Sequence, residues 1–171
     1  MIKMNSNYKC IEECRICGCK DLDEAISLPA QFLSPTFVET NVDNPLSSIK
    51  VPMTVMVCNN KDCSLVQLKE STNPELLYTN YFYRSSTNET MIKDLKNVVS
   101  RVQDYVDLKA NDIVVDIGAN DCTMIQWFSE SLKRIAVEPA KNIDWSHVAP
   151  SIQIVNDFFP SPKFINSLSG S

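Results

Sequence analysis

Two pairs of closely spaced cysteines constrain the front of this chain more than any other feature. Cys14-Arg15-Ile16-Cys17-Gly18 puts two residues between its thiols, and Cys58-Asn59-Asn60-Lys61-Asp62-Cys63 puts four. Gaps of that size let both sulfurs of a pair turn toward one ion, and Gly18 permits the tight turn beyond the second thiol. The second pair follows an alternating segment, Val51, Met53, Val55 and Val57, and precedes a return strand at residues 64–68. It therefore sits at a hairpin tip, where zinc-ribbon modules hold their ligands. Cys14, Cys17, Cys58 and Cys63 would complete a closed tetrahedral zinc site, structural in kind because no position stays open for water. Such a site also explains how a segment poor in large apolar residues could fold. The competing reading is that these are ordinary buried cysteines, which pack as small hydrophobes. Two pairs, each at a strand end, weaken it. Cys10 and Cys19 are read as spares, and Cys122 as a packed residue too far along the chain.

The choice of metal over disulfide rests on the compartment. Residues 1–10 contain no apolar run of signal-peptide kind, and no stretch approaches transmembrane length. A soluble, cytoplasmic protein with reduced thiols is expected, with no membrane partner, and the odd count of seven cysteines agrees. A formal net charge of -5 disfavours nucleic acid, as does the lack of a Lys/Arg cluster around the cysteines.

Texture divides the 171 residues into three: a zinc-binding module over 1–70, an aromatic connector and amphipathic helix over 71–110, and an α/β segment over 111–171. The connector carries Tyr78, Tyr81, Phe82 and Tyr83. In the helix, Met91, Ile92, Leu95, Val98, Val99, Val102, Tyr105 and Val106 recur at three- and four-residue steps and form an apolar stripe. Ser86-Thr87-Asn88-Glu89 has capping-box spacing, with Ser86 as the cap. The pattern then becomes strand (113–117), helix (123–132), strand (134–137) and strand (152–155), which implies a parallel sheet with helices on its faces.

The turn after the first of these strands reads Val114-Val115-Asp116-Ile117-Gly118-Ala119-Asn120-Asp121. A dinucleotide fold would need G-x-G-x-x-G there, so that bare backbone could press on a pyrophosphate. A single glycine followed by Asn120 and Asp121 offers polar side chains instead, which suits the zwitterionic end of S-adenosylmethionine. Glu138, ending the next strand, can accept both ribose hydroxyls. Asp157 and Phe158, after the third strand, would flank the adenine. Singly, each residue has a plainer reading: Asp116 as a strand-end turn residue, Asn120 or Asp121 as a helix cap, Glu138 as a surface charge.

These stretches together resemble the sugar C-methyltransferases that carry a zinc-binding domain before a class I methyltransferase domain. The resemblance is carried by residues 14–18, by Cys58 to Cys63 with the following Leu-Val-Gln-Leu, and by Tyr81-Phe82-Tyr83-Arg84-Ser85-Ser86. Residues 116–121, Val137-Glu138-Pro139 and Phe158-Phe159 complete it. It implies a Rossmann-like fold for the second part and S-adenosylmethionine as cofactor. It also implies a nucleotide-linked keto-deoxysugar as substrate, deprotonated beside its ketone so that the enolate attacks the methyl group. It places Tyr81 and Tyr83 in the segment lining the active site, although connector packing would account for them equally. Cys122 and Ser64 depart from the family, standing where glycine is usual. The family also continues well beyond this length and carries a catalytic histidine there, whereas His147 lies in a crossover and reads as a surface residue. The expectation is thus an N-terminal part of the domain, completed by a C-terminal segment or a second chain and not transferring methyl groups alone. A non-catalytic zinc-ribbon module, or a remnant binding cofactor weakly, is the alternative.

Overall fold

The structure, a computed structural model, describes residues 7–34 and 49–169. The chain separates into two compact units at the Tyr78–Thr79 junction.

The first unit is built from short antiparallel strands. β1 (Tyr8–Cys10) pairs with β5 (Glu70–Thr72), and β2 (Leu22–Phe32), β3 (Lys50–Cys58) and β4 (Val66–Leu68) form a second sheet in that order. A short helix, α1 (Pro74–Tyr78), follows. The β3–β4 register, Val55 opposite Leu68 and Val57 opposite Val66, leaves the second cysteine pair at the hairpin tip. The buried face of β3 differs from the expected one. Val51 is buried, but Thr54, Met56 and Cys58 then take the inner side, while Met53 is exposed and Val55 and Val57 are half-buried. Two polar anchors fix that phase. Cys58 must turn inward, and Thr54 donates both its amide (2.8 Å) and its hydroxyl (2.9 Å) to the buried Glu70 carboxylate. Because side chains alternate with period two, those anchors send the valine face outward.

The second unit holds a three-stranded parallel sheet, β6 (Ile113–Ile117), β7 (Lys133–Val137) and β8 (Ile152–Val155), with β7 in the centre. Its two faces are sorted by alternation along β7. Ala136 packs with Ile152, Val99, Ala119, Ile125, Phe128 and Leu132 on one side. Ile135 and Val137 pack with Val155 and Phe164 on the other. Val99 belongs to α2 (Glu89–Tyr105) and Phe164 to α3 (Pro162–Ser169). The α2 stripe is only partly buried: Val99 and Val102 face the core, whereas Met91, Val98 and Tyr105, seven residues apart, run along an exposed line.

Two local expectations are corrected. The α2 cap is Asn88, whose side chain accepts from the amides of Thr90 (2.9 Å) and Met91 (3.2 Å). Ser86 cannot serve, because residues Ser85–Thr87 are already wound into a 3₁₀ turn. The helix expected over 123–132 is reduced to one 3₁₀ turn, Ile125–Trp127. Asp121 holds the Thr123 amide and hydroxyl at its start, and the Phe128 carbonyl is taken by the Arg134 guanidinium at 3.1 Å. The Phe128 carbonyl is thereby withdrawn from a helical ladder, whereas the Asp121–Thr123 contact has the form of an N-cap. No described helix is long and apolar enough to cross a membrane.

Candidate functional site

The cysteine cluster is assembled from two turns of one design. In the first, the Cys14 carbonyl accepts from Gly18 at 3.0 Å, and Gly18 takes φ +70°. In the second, the Asn60 carbonyl accepts from Cys63 and Ser64, both at 2.9 Å, and Ser64 takes φ +49°. Each turn thus leaves its second cysteine through a left-handed residue, and Ser64 occupies a conformation that glycine adopts with less strain.

The four Sγ atoms of Cys14, Cys17, Cys58 and Cys63 all lie within 4.8 Å of one another. Cys14 and Cys63 are 3.7 Å apart, and Cys17 and Cys58 are 3.6 Å apart. A tetrahedron of thiolates at about 2.3 Å from zinc has edges of about 3.8 Å, so the set fits that ion. Cys10 and Cys19 are not members of the group, and the Cys19 thiol faces the Asp21 carbonyl at 3.7 Å. Cys122 is a core residue of the second unit.

The cluster is electrostatically uneven. The main-chain amide of Cys17 leads in pulling the Cys14 thiol down to about 6, helped by the Ile16 amide and the Gln67 side chain. Burial pushes Cys58 up to about 12. Cys63 is raised too, because burial and the neighbouring thiols outweigh a hydrogen bond from the Leu65 amide. Ligation of a divalent cation must therefore displace protons from the thiols that hold them.

A second constellation lies where the parallel strands end. Gly118, Asn120 and Cys122 have φ of +77°, +50° and +64°, so the loop after β6 makes three left-handed steps with only one glycine. Asparagine tolerates that region and cysteine does not favour it. Asp116 is buried at 6% exposure, and its Oδ2 has no hydrogen-bond partner. Burial, with the charge of Glu138 adding, raises its carboxyl to about 6. Glu138 is equally buried, and its carboxylate accepts from the amides of Asn120 and Ala140, both at 2.8 Å. It is no solvated surface charge. Burial would raise Asp121, but hydrogen bonds from Thr123 and Ser86 outweigh it and hold the group below the usual carboxylate range. Burial, with the charges of Asp116, Asp121 and Glu138 adding, pushes the Cys122 thiol up to about 12. Asp157 and Phe158 follow β8, the Asp157 carboxylate accepting from the Phe158 amide at 2.8 Å.

The aromatic segment is stitched to this loop through its main chain. The Asn142 side chain accepts from the Tyr81 amide (3.0 Å) and donates to the Tyr81 carbonyl (3.1 Å). Asn120 donates to the Tyr83 carbonyl at 3.0 Å and accepts from the Ser85 amide at 3.2 Å. Asp121 accepts from the Ser86 amide at 2.9 Å. Arg84 donates to the carbonyls of Tyr81, Tyr83 and Asn142. The main chain of Tyr83 is therefore brought beside Asn120, and that of Tyr81 beside Asn142. Arg84, Asn142 and Asn156 were not singled out from the sequence. Asn156 donates to the carbonyls of Glu138 (2.7 Å) and Ala140 (3.0 Å). Asn142 and Asn156 act across 16 to 61 residues, and Arg84 reaches Asn142 across 58, which no local motif announces. His147 is exposed in the crossover before β8.

The first of these geometries defines a cysteine-held metal module, and comparison with known proteins agrees. Residues 14–78 match a family model described as "Putative zinc binding domain". The chain is also 27% identical over 134 residues to the C-methyltransferase NovU of Streptomyces niveus, covering 78% of this chain and 31% of that protein. The chain thus spans about a third of the length of this curated relative. Residues 14–78 are thus similar to the zinc-binding family, and most of the chain is similar to an N-terminal portion of a C-methyltransferase.

Proposed function

We propose that this chain is the front part of an S-adenosylmethionine-dependent methyltransferase. Its zinc module precedes the opening strands of a Rossmann-like cofactor domain, and the whole protein methylates a carbon of a nucleotide-linked keto-deoxysugar. The supporting observation is the Asp116 carboxylate, buried with one oxygen unpartnered at the end of β6. Parallel α/β sheets bind ligands outside the carboxyl ends of their strands, and Asp116, Glu138 and Asp157 all lie there. A buried carboxylate without a partner is costly unless a cation or donor completes it. S-adenosylmethionine carries both a sulfonium and an ammonium group.

In this reading Gly118, Asn120 and Asp121 contour the loop around the amino-acid end of the cofactor, and Asp116 adds negative charge beneath it. Glu138 retains lone pairs beyond its two amide contacts and accepts the ribose hydroxyls, while Asp157 and Phe158 bound the adenine. Tyr81 and Tyr83 orient the sugar from the segment fastened by Asn120, Asn142 and Arg84. The bound cofactor supplies the electrophilic methyl group.

Titration calorimetry of the zinc-loaded chain with S-adenosylmethionine tests the reading. Saturable binding is expected, weakened by about 1 to 3 kcal/mol in Glu138→Ala through loss of a charged acceptor. Binding that is unaffected by both Glu138→Ala and Asp116→Ala would remove the site assignment, and absence of any binding would remove the cofactor.

A further inference from the structure

We propose that Gln67 positions the metal centre from outside its ligand set, donating a side-chain N–H to the Cys14 thiolate in an orientation imposed by Arg15. Gln67 is the inward-facing residue of β4 and is buried at 8% exposure, although a strand this short in an apolar sheet would ordinarily bury an aliphatic side chain. Its Oε1 accepts from the Arg15 amide at 3.1 Å and from Arg15 Nη1 at 3.3 Å. Two donors on the oxygen settle which end of the amide is which, since the flipped group would set its NH2 against both. The guanidinium is itself fixed, donating to the Leu68 carbonyl and, at 2.7 Å, to the Ser71 hydroxyl. Arg15 lies between the first two ligands in sequence, so this clamp ties the Cys14–Cys17 turn to the strand that returns from the Cys58–Cys63 turn.

The other end of the Gln67 amide carries the inference. Nε2 is buried and has no hydrogen-bond partner. A buried N–H of that kind calls for an acceptor. The same amide is bonded through its oxygen to the main chain of Arg15, the residue that follows Cys14, so Nε2 is held beside the first cysteine turn. A metal-bound thiolate keeps lone pairs able to accept such a bond, and groups that hydrogen-bond metal ligands orient them and tune affinity. The proposal rests on the zinc reading of the four cysteines.

Two measurements on the full chain test it. In protein loaded with cadmium-113, a proton–metal correlation through the N–H···S bond should appear at the Gln67 side-chain amide. In Gln67→Glu, which keeps an oxygen for Arg15 but loses the donor, zinc affinity measured against a competing chelator should fall about 10- to 100-fold. The sulfur-to-metal charge-transfer band of the cobalt-loaded variant should also shift. Four bound thiolates with no coupling to Gln67, together with unchanged affinity and spectrum in Gln67→Glu, would overturn this proposal alone. Failure to take up cadmium or zinc at all would overturn the metal reading with it. The coupling measurement uses the unaltered protein, so it decides the matter even if the variant does not fold.

Discussion

The two units of this molecule solve the same problem with different materials. In the second, the central strand β7 buries Ile135, Ala136 and Val137 almost completely, and apolar side chains from α2, α3 and the crossovers cover both faces of the sheet. In the first, β2 is exposed along nearly its whole length, and the buried positions include Cys14, Cys58, Thr54, Gln67 and Glu70. Apolar burial holds a sheet together in proportion to area. Among the described residues Val51 and Met56 are the buried aliphatic side chains of this unit, so it has little of that area and depends on what the thiols bind. The comparison assigns metal dependence to one unit and ordinary core energetics to the other.

The largest expected effect follows directly. Structural zinc sites contribute about 10 to 16 kcal/mol of apparent binding energy to folding. A Cys14→Ser/Cys58→Ser double variant should lose zinc and the ordered structure of the first unit, measured by elemental analysis and near-UV circular dichroism. Truncating the other core, Ile135→Ala, should cost about 2 to 5 kcal/mol in denaturant unfolding of the second unit. Zinc content should stay at one ion per chain. Zinc loss in that variant would blur the division between the units.

Asp116 gives a pH-dependent effect confined to the second unit. Its carboxyl is raised from 3.8 to about 6 by burial and by Glu138. The native state therefore holds this proton more tightly than the unfolded chain does. The resulting stabilisation is fully present below pH 3.8 and is lost as pH rises toward 6, a change of about 3 kcal/mol for a shift of roughly two units. Asp116→Asn should flatten that slope in thermal melts between pH 4 and 7. A slope that persists would assign the proton elsewhere. The smallest effect belongs to Ser64, at φ +49°. Ser64→Gly should raise the stability of the zinc-loaded first unit by about 0.5 to 1 kcal/mol, because glycine enters the left-handed region without strain.

Much of this was legible in the sequence where the signal is local. The spacing of Cys14 with Cys17 and of Cys58 with Cys63 identified four thiols that the fold brings within 4.8 Å. The short apolar runs at Ile113–Ile117 and Ile152–Val155 coincide with β6 and β8. What failed depended on partners distant along the chain. The helix expected after residue 123 yields to the Arg134 guanidinium, which takes the Phe128 carbonyl. The valine face of β3 points outward because Glu70 and the metal cluster claim the opposite face. The glycine-like conformations of Asn120 and Cys122 are fixed by a loop threaded between Glu138 and the 81–86 segment. Asn120 is of a type that tolerates such a conformation, whereas a cysteine at 122 does not announce it.

Hydrogen exchange of the zinc-loaded chain, followed residue by residue before and after adding a strong chelator, tests the division between the units most directly. The account predicts that amides in β3, β4 and the two cysteine turns lose their protection once zinc is removed, while those of β6, β7 and β8 exchange as before. Equal loss in both units, or protection in the first unit that survives chelation, would contradict it.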